Sequence, residues 1–512
     1  MKLAGRTRNV EGAPRRRAHL TTLAAAILAV PALAAALSAL SGCAGFQGTR
    51  QVPLLVPVET SARRHAGPWL TPRFGPEPAV IVSWLTGRPA ETRLFVGTDP
   101  GSLEERRGEG RGRLHRITLP ALEPGRRYYY APDFGGGGAP GKRLYTFAAP
   151  DWNRDQVEII VLGDLQPRDA FTRRGGLLMA EAVAAAGADL VVQLGDVAEI
   201  GAFASHWLAA LANLAAFTSG IPMVGVIGNH DYYGDPGRNF RSLFPYPYAD
   251  PRGAFWSFEV AGAHFVMVDC FEEDGRVSDR QKAWVEADLA AAAAGGARYL
   301  FVVLHLTPLT TGTSEAGTDL EGWLLPLADR AGVDAVFFGH DHHYEHWEVV
   351  YGSSGLVYDP AHRPSGRSVH YFCSGGGGAY LEIDYGLLTR KPSTILRRLY
   401  DLERQTWIER RDFRLPWDRE RYLDHTGNPA YGQLLDGRHY YHLPEERSYQ
   451  GDTGWLGYRY GEQTLHYLRI RLGPEEAVVS AHYPSGELLA GPGGRHPQRF
   501  SIPARVDVWT FR

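Results

Sequence analysis

Five short motifs in this chain carry side chains of the kinds that hold metal ions. They are Gly163-Asp164, Gly195-Asp196, Gly228-Asn229-His230-Asp231, His305 and Gly339-His340-Asp341-His342. Oxygen and imidazole donors of this kind suit Zn, Mn or Fe. In four of the five a glycine precedes the polar residue, permitting a tight turn that brings the backbone close to an ion or a phosphate. Singly each motif says little. Gly-Asp is a common strand-to-loop dipeptide, and a lone histidine after a strand is usually structural. Five in succession point to one metal-dependent site.

The elements that must position them are apolar runs rich in β-branched residues, at 157–162, 190–194, 223–227, 265–268, 299–304 and 335–338. Alanine-rich amphipathic segments alternate with them near 171–186, 203–217, 278–294 and 319–331. This alternation is that of βα units around a buried sheet. Ser278 is placed as an N-cap and Gly295-Gly296 as a stop. Each motif begins just past the C-terminal end of an apolar run, where open α/β sheets build their sites.

The ordered set GD…GD…GNHD…VxxH…GHxH resembles the calcineurin-like metallophosphoesterase superfamily over about residues 155–375. The resemblance implies a two-sheet, αββα metallophosphoesterase domain, placed at 151–490. It also implies roles. Asp164 and His342 would bind a first metal, Asn229, His305 and His340 a second, and Asp196 both. His230 would face the leaving group, oriented by Asp231. The implied cofactors are two divalent or mixed-valence ions (Mn, Fe or Zn). The implied partner is a phosphate-ester substrate, attacked by a metal-activated hydroxide while His230 protonates the leaving oxygen. Phosphomonoester hydrolysis is expected. A phosphodiesterase is the alternative, and a weakly active phosphate-binding or scaffold protein on the same fold is a third reading.

The pattern departs from the superfamily in two places. The first motif continues Asp164-Leu165-Gln166 where Asp-x-His is usual. The second ends in Glu199, in Gly195-Asp196-Val197-Ala198-Glu199, where purple acid phosphatases carry an iron-binding tyrosine. Gln166 could complete the first metal site through its amide oxygen, or Glu199 through its carboxylate. Without the tyrosine, the iron form should not be purple.

Upstream, from 67 to 150, short β-type runs alternate with Pro/Gly turns, which reads as a β-sandwich. Leu122-Glu123-Pro124-Gly125-Arg126-Arg127-Tyr128-Tyr129-Tyr130, with Val82-Ser83-Trp84, resembles the fibronectin-III-like domain that precedes the catalytic domain in purple acid phosphatases. No chemistry is expected of it. Downstream, residues of about 384–462 lose apolar periodicity and read as an insertion. The runs 466–472 and 477–483 read as a hairpin, and 491–512 as a tail. Tyr232, Tyr233, His206, His343 and His346 flank the motifs, and packing is the expected role of the two tyrosines.

Residues 1–42 read as an export signal: six basic residues, then an Ala/Leu-rich run ending at Leu40-Ser41-Gly42-Cys43. That ending resembles a bacterial lipoprotein signal, with Cys43 lipidated and residues 43–66 as a tether. A membrane-spanning helix is the alternative, and Arg16-Arg17 leaves open a twin-arginine route. The expected location is the bacterial cell envelope, held to the membrane by the lipid. The chain has 54 basic and 57 acidic residues, but beyond residue 42 the balance is 48 to 56, a net charge of −8. An acidic remainder argues against sequence-specific nucleic-acid binding. A 44% hydrophobic and 22% charged composition excludes global disorder. Of the three cysteines, Cys270 and Cys373 sit in apolar runs and read as buried.

Overall fold

The computed structural model describes residues 65–75, 79–135, 143–168, 170–273, 275–310, 318–350, 356–357, 368–379, 381, 398–401, 406–409, 458–462, 464–490 and 497–505. The expected signal, Cys43 and all but the end of the tether lie outside the described residues.

The N-terminal strands are β1 (Ala66–Arg73), β2 (Ala79–Asp99), β3 (Ser102–Leu119), β4 (Arg127–Pro132) and β5 (Tyr145–Ala148). They hydrogen-bond as one antiparallel sheet, in which β1 pairs with the first part of β2, β4 with its last part, and β3 along both. Register breaks between Leu85 and Ala90 and between Glu91 and Arg93 interrupt the long β2–β3 ribbon, and such irregularities bend strands. Val80, Val82 and Trp84 from one part of β2 therefore meet Leu94 and Val96 from the other in a single small core.

This sheet is seated on the α/β portion of the chain. Trp69 is buried, donates its indole N–H to the Leu243 carbonyl at 3.2 Å, and packs edge-on to Phe244. Phe74 stacks on Phe258, and the Tyr130 hydroxyl donates to the Ser219 carbonyl at 2.7 Å.

The remaining elements alternate as expected: β6 (Val157–Leu162), α1 (Ala170–Ala186), β7 (Leu190–Gln193), α2 (Ala204–Thr218), β8 (Met223–Gly225), α3 (Asn229–Tyr232), α4 (Arg238–Leu243), β9 (Trp256–Val260) and β10 (Ala263–Met267). Then come α5 (Asp279–Ala294), β11 (Tyr299–Val303), α6 (Thr318–Ala331), β12 (Ala335–Phe338), β13 (Tyr344–Val350), β14 (Leu356–Val357) and β15 (Ser368–Ser374). The last strands are β16 (Arg398–Asp401), β17 (Thr406–Glu409), β18 (Tyr458–Glu462), β19 (Tyr467–Leu472), β20 (Glu476–His482) and β21 (Arg499–Pro503). Ser278 caps α5, its hydroxyl accepting from Gln281 N at 3.1 Å.

Two mixed sheets result. One has the order β21-β20-β19-β6-β7-β8 and the other β18-β13-β15-β12-β11-β10-β9, while β14, β16 and β17 form a small separate sheet. The neighbours β6, β7 and β8 are parallel, as are β10, β11, β12 and β15. Their residues are buried almost without exception, which is why these runs read as continuous apolar stretches. Each fully buried Val, Leu or Ile side chain there contributes roughly 1.5–3 kcal/mol. Helix α5 packs on β10 and β11, and α6 on β15. The α/β architecture expected from the sequence is thus present.

Two expected boundaries change. β18, the last five residues of the expected insertion, is the edge strand of the larger sheet, paired with β13. β21 lies in the expected tail yet pairs with β20. Cys270 and Cys373 are free and buried.

Candidate metal centre

The two sheets bring the ends of β6, β7, β11 and β12 to one place, and the backbone there is unusual. Asp164 follows β6 with φ 61°, Asp196 follows β7 with φ 57°, and His340 follows β12 with φ 71°. Non-glycine residues enter this left-handed region rarely, and they cluster at functional sites. The turns interlock, because Asp164 N donates to Gly195 O and Leu165 N to Asp196 O, both at 3.1 Å. A side chain at Gly339 would collide with Asp164 Oδ2, and one at Gly228 with Asp196 Oδ1. The glycines preceding His340 and Asn229 are thus the space that the two carboxylates occupy.

Two groups of donors converge. Asp164, Asp196 and His342 offer ligand atoms within 4.8 Å of one another, and so do Asp196, His305 and His340. Asp196 belongs to both. Its Oδ2 is 3.4 Å from His305 Nε2, and its Oδ1 accepts from His230 N at 2.9 Å. Asp164 Oδ1 lies 3.4 Å from His342 Nε2. Asn229 joins the second group, with Oδ1 2.9 Å from His305 Nε2 and 3.1 Å from His340 Nδ1. The Asn229 amide nitrogen donates to the Tyr233 hydroxyl at 2.8 Å, which turns the amide oxygen toward the histidines.

This donor set fits a cation. His305 Nδ1 lies 2.8 Å from the Leu194 carbonyl and so must carry a proton. His305 Nε2 then meets Asn229 Oδ1 and Asp196 Oδ2, and all three are acceptors unless a proton or a metal ion sits among them. Burial opposes a charged His305, yet the Asp196 carboxylate pushes its pKa up to about 9. Asp196 moves the opposite way: burial alone would raise its pKa, but the charges of His305 and His230 bring it well below the usual range. Burial, assisted by His305, drives His340 down to about 3, leaving a neutral imidazole lone pair. Burial raises Asp164.

Gln166 reaches the first group. Its amide nitrogen is 3.3 Å from both Asp196 Oδ2 and His342 Nε2, while its amide oxygen is buried without a hydrogen-bond partner. Amide oxygen and nitrogen are exchanged by a flip of the side chain, and the flipped amide would present its oxygen between these two ligand atoms. Glu199 lies farther out, three residues beyond Asp196. Burial raises its carboxyl, and His230 and Arg168 oppose that rise.

His230 departs from the expected arrangement. Its Nδ1 lies 2.7 Å from the backbone carbonyl of Glu199, and its partly exposed ring leaves Nε2 4.0 Å from Asp196 Oδ2. Asp231, expected to orient it, does not. The Asp231 carboxylate instead accepts from Ala198 N at 2.8 Å and Gly228 N at 3.1 Å, tying the two motif loops together. Burial, with Asp196 nearby, pushes it up to about 7. The Glu199 carbonyl is absent from the sequence-derived site, because no side-chain signal for it exists. The Tyr233 hydroxyl is absent too, although the i,i+4 spacing from Asn229 points to it. The motif histidine His343 pairs with the buried carboxylate of Glu345 at 3.2 Å.

Residues 157–344 match the family described as calcineurin-like phosphoesterase. Purple acid phosphatase 21 of Arabidopsis thaliana is 28% identical over 251 residues, which are 47% of this chain and 54% of that protein. Acid phosphatase type 7 of Mus musculus is 24% identical, over 65% of this chain and 81% of that protein. The structure of purple acid phosphatase PPD1 from yellow lupin (Lupinus luteus) seeds superposes with a TM-score of 0.58 at 16% identity, over 86% of this chain and 74% of that one. The chain spans a little over half the length of purple acid phosphatases 21 and 22 of Arabidopsis thaliana.

Proposed function

We propose that this chain, whose residues 157–344 form a calcineurin-like phosphoesterase domain, is a metal-dependent hydrolase of phosphate esters with a preference for monoesters. The observation that carries this reading is the sharing of Asp196 between two donor groups, the arrangement a dinuclear centre needs. Asp164, His342 and the flipped Gln166 amide would hold one ion, Asn229, His305 and His340 the other, and Asp196 would join them. When bound, the ions would supply Lewis acidity to the phosphoryl oxygens and make a water acidic near neutral pH.

The protein's own groups do the rest. Asp196 fixes the His230 backbone through its Oδ1, and the Glu199 carbonyl holds Nδ1. The tautomer is thereby set with a proton on Nδ1, so Nε2 is the atom that can carry a second proton to the leaving oxygen. Tyr233 keeps the Asn229 oxygen aimed inward. The two purple acid phosphatase relatives and the acid phosphatase relative support the monoester preference. Export and lipid attachment at Cys43 belong to the same reading, on the strength of the 1–43 sequence; mass spectrometry of the membrane-extracted protein tests them.

The functional test is turnover of paired aryl monoester and diester substrates by metal-reconstituted protein, with metal content measured on the same samples. Two ions per chain and faster monoester turnover are expected. Turnover with neither substrate under any metal would sink the reading, and a diester preference would overturn its monoester part.

A further inference from the structure

Beside the centre, the loops after β6 and β7 hold a pair that the mechanism leaves unused. Arg168 lies two residues past Gln166, and its backbone N–H is anchored to Thr172 Oγ1 at 2.8 Å. Its side chain is half exposed, with Nε 3.8 Å from Glu199 Oε1. The other oxygen of Glu199 lies 3.8 Å from His230 Nδ1. One carboxylate therefore stands between the guanidinium and the imidazole.

At 3.8 Å the Arg168–Glu199 pair is beyond hydrogen-bond reach. A loose, half-exposed pair adds little to stability. What it does is place a permanent positive charge at the rim of a site built from four carboxylates, Asp164, Asp196, Glu199 and Asp231. A phosphate monoester bears two negative charges when fully ionised and a diester one. The planar guanidinium matches phosphate oxygens in a two-pronged fork, which a point charge does not.

We propose that Arg168 is a specificity residue: it leaves Glu199 to bind the second charged oxygen of a phosphate monoester and thereby selects monoesters over diesters. This deepens the hydrolase reading and rests on it for the identity of the substrate. Glu199 serves as the resting partner that keeps the guanidinium at the rim, and the exchange of one anion for another costs little at such a distance.

The test is calorimetric titration of metal-loaded protein with inorganic phosphate and with dimethyl phosphate. Wild type is expected to bind phosphate the more tightly. In Arg168→Ala that preference should fall by about ten-fold, through weaker phosphate binding, the scale of a hydrogen bond to a charged group. Arg168→Lys, which keeps the charge without the fork, should fall between the two. Thermal unfolding of both variants checks that they fold like wild type. Equal weakening of the two ligands, an unchanged preference, or no phosphate binding by wild type would each overturn the proposal. Because binding is read, a protein that senses phosphate through Arg168 but hydrolyses neither ester refutes the hydrolase reading alone.

Discussion

His230 Nδ1 lies 2.7 Å from the backbone carbonyl oxygen of Glu199. The imidazole is thus held by the main chain, and side-chain substitutions around it should separate cleanly into those that remove the proton donor and those that unsettle its loop.

His230→Ala removes the donor. Turnover of an alkyl phosphate, whose leaving group needs a proton, should fall about 10²–10⁴-fold. Metal content should stay at the wild-type value. Steady-state kinetics beside elemental analysis would show it, and an unchanged rate would remove His230 from the mechanism.

Asp231→Asn acts differently, because this carboxylate accepts two backbone N–H groups from adjoining loops. An amide offers one acceptor oxygen in place of two, leaving a buried N–H without a partner. The expected loss is about 1–3 kcal/mol of folding stability, read by chemical denaturation. A rate loss as large as that of His230→Ala at full stability would contradict this.

Asp196→Asn should cost both ions, whereas His342→Ala should cost one. Only Asp196 appears in both of the donor groups of three formed by the described residues. Elemental analysis of the two variants, loaded identically, decides it.

Iron-loaded protein should lack a visible phenolate-to-iron band, since Glu199 stands where the purple enzymes carry tyrosine. An absorption spectrum of the reconstituted protein suffices. A strong band would mean that another tyrosine reaches the metal.

The buried His466 gives a pH prediction. Burial depresses its pKa from the ordinary 6.5 to about 4, with Nδ1 2.9 Å from the Thr464 carbonyl. Above the unfolded value both states are neutral and pH has no effect through this group. As pH falls from 6.5 toward 4 the unfolded chain takes up the proton first, so stability is lost across that window. The full span amounts to up to about 3 kcal/mol. Urea denaturation at several pH values should show a shallower acid slope in His466→Gln.

Most of the metal centre is legible in the chain because its ligands are side chains at the ends of strongly apolar strands. Asp164, Asp196, Asn229, His305, His340 and His342 announce themselves in that way. The hold on His230 is not legible, since its partner is a carbonyl that every residue type possesses. The length of β2 is not legible either, for a different reason. Gly87-Arg88-Pro89 signals a turn, yet β2 continues past it, with the pairing to β3 broken between Leu85 and Ala90. β18 and β21 read as part of an insertion and a tail because each lies at the edge of its sheet, paired on one side, and neither carries the continuous apolar pattern that marks β10 or β12.

The place of β19 in the smaller sheet bears on how the chain must be assembled. It lies between β20 and β6, and its Arg469 pairs with Glu158, 311 residues earlier in the chain. Until residues 467–503 have emerged, β6 presents an open backbone edge, and the loop carrying Asp164 hangs from a strand paired on one side only. Contacts this distant in sequence slow folding and lengthen the exposure of unpaired strands to aggregation. Whether the chain emerges from the ribosome or from an export channel, its N-terminal half therefore waits for the last strands before its sheet is closed.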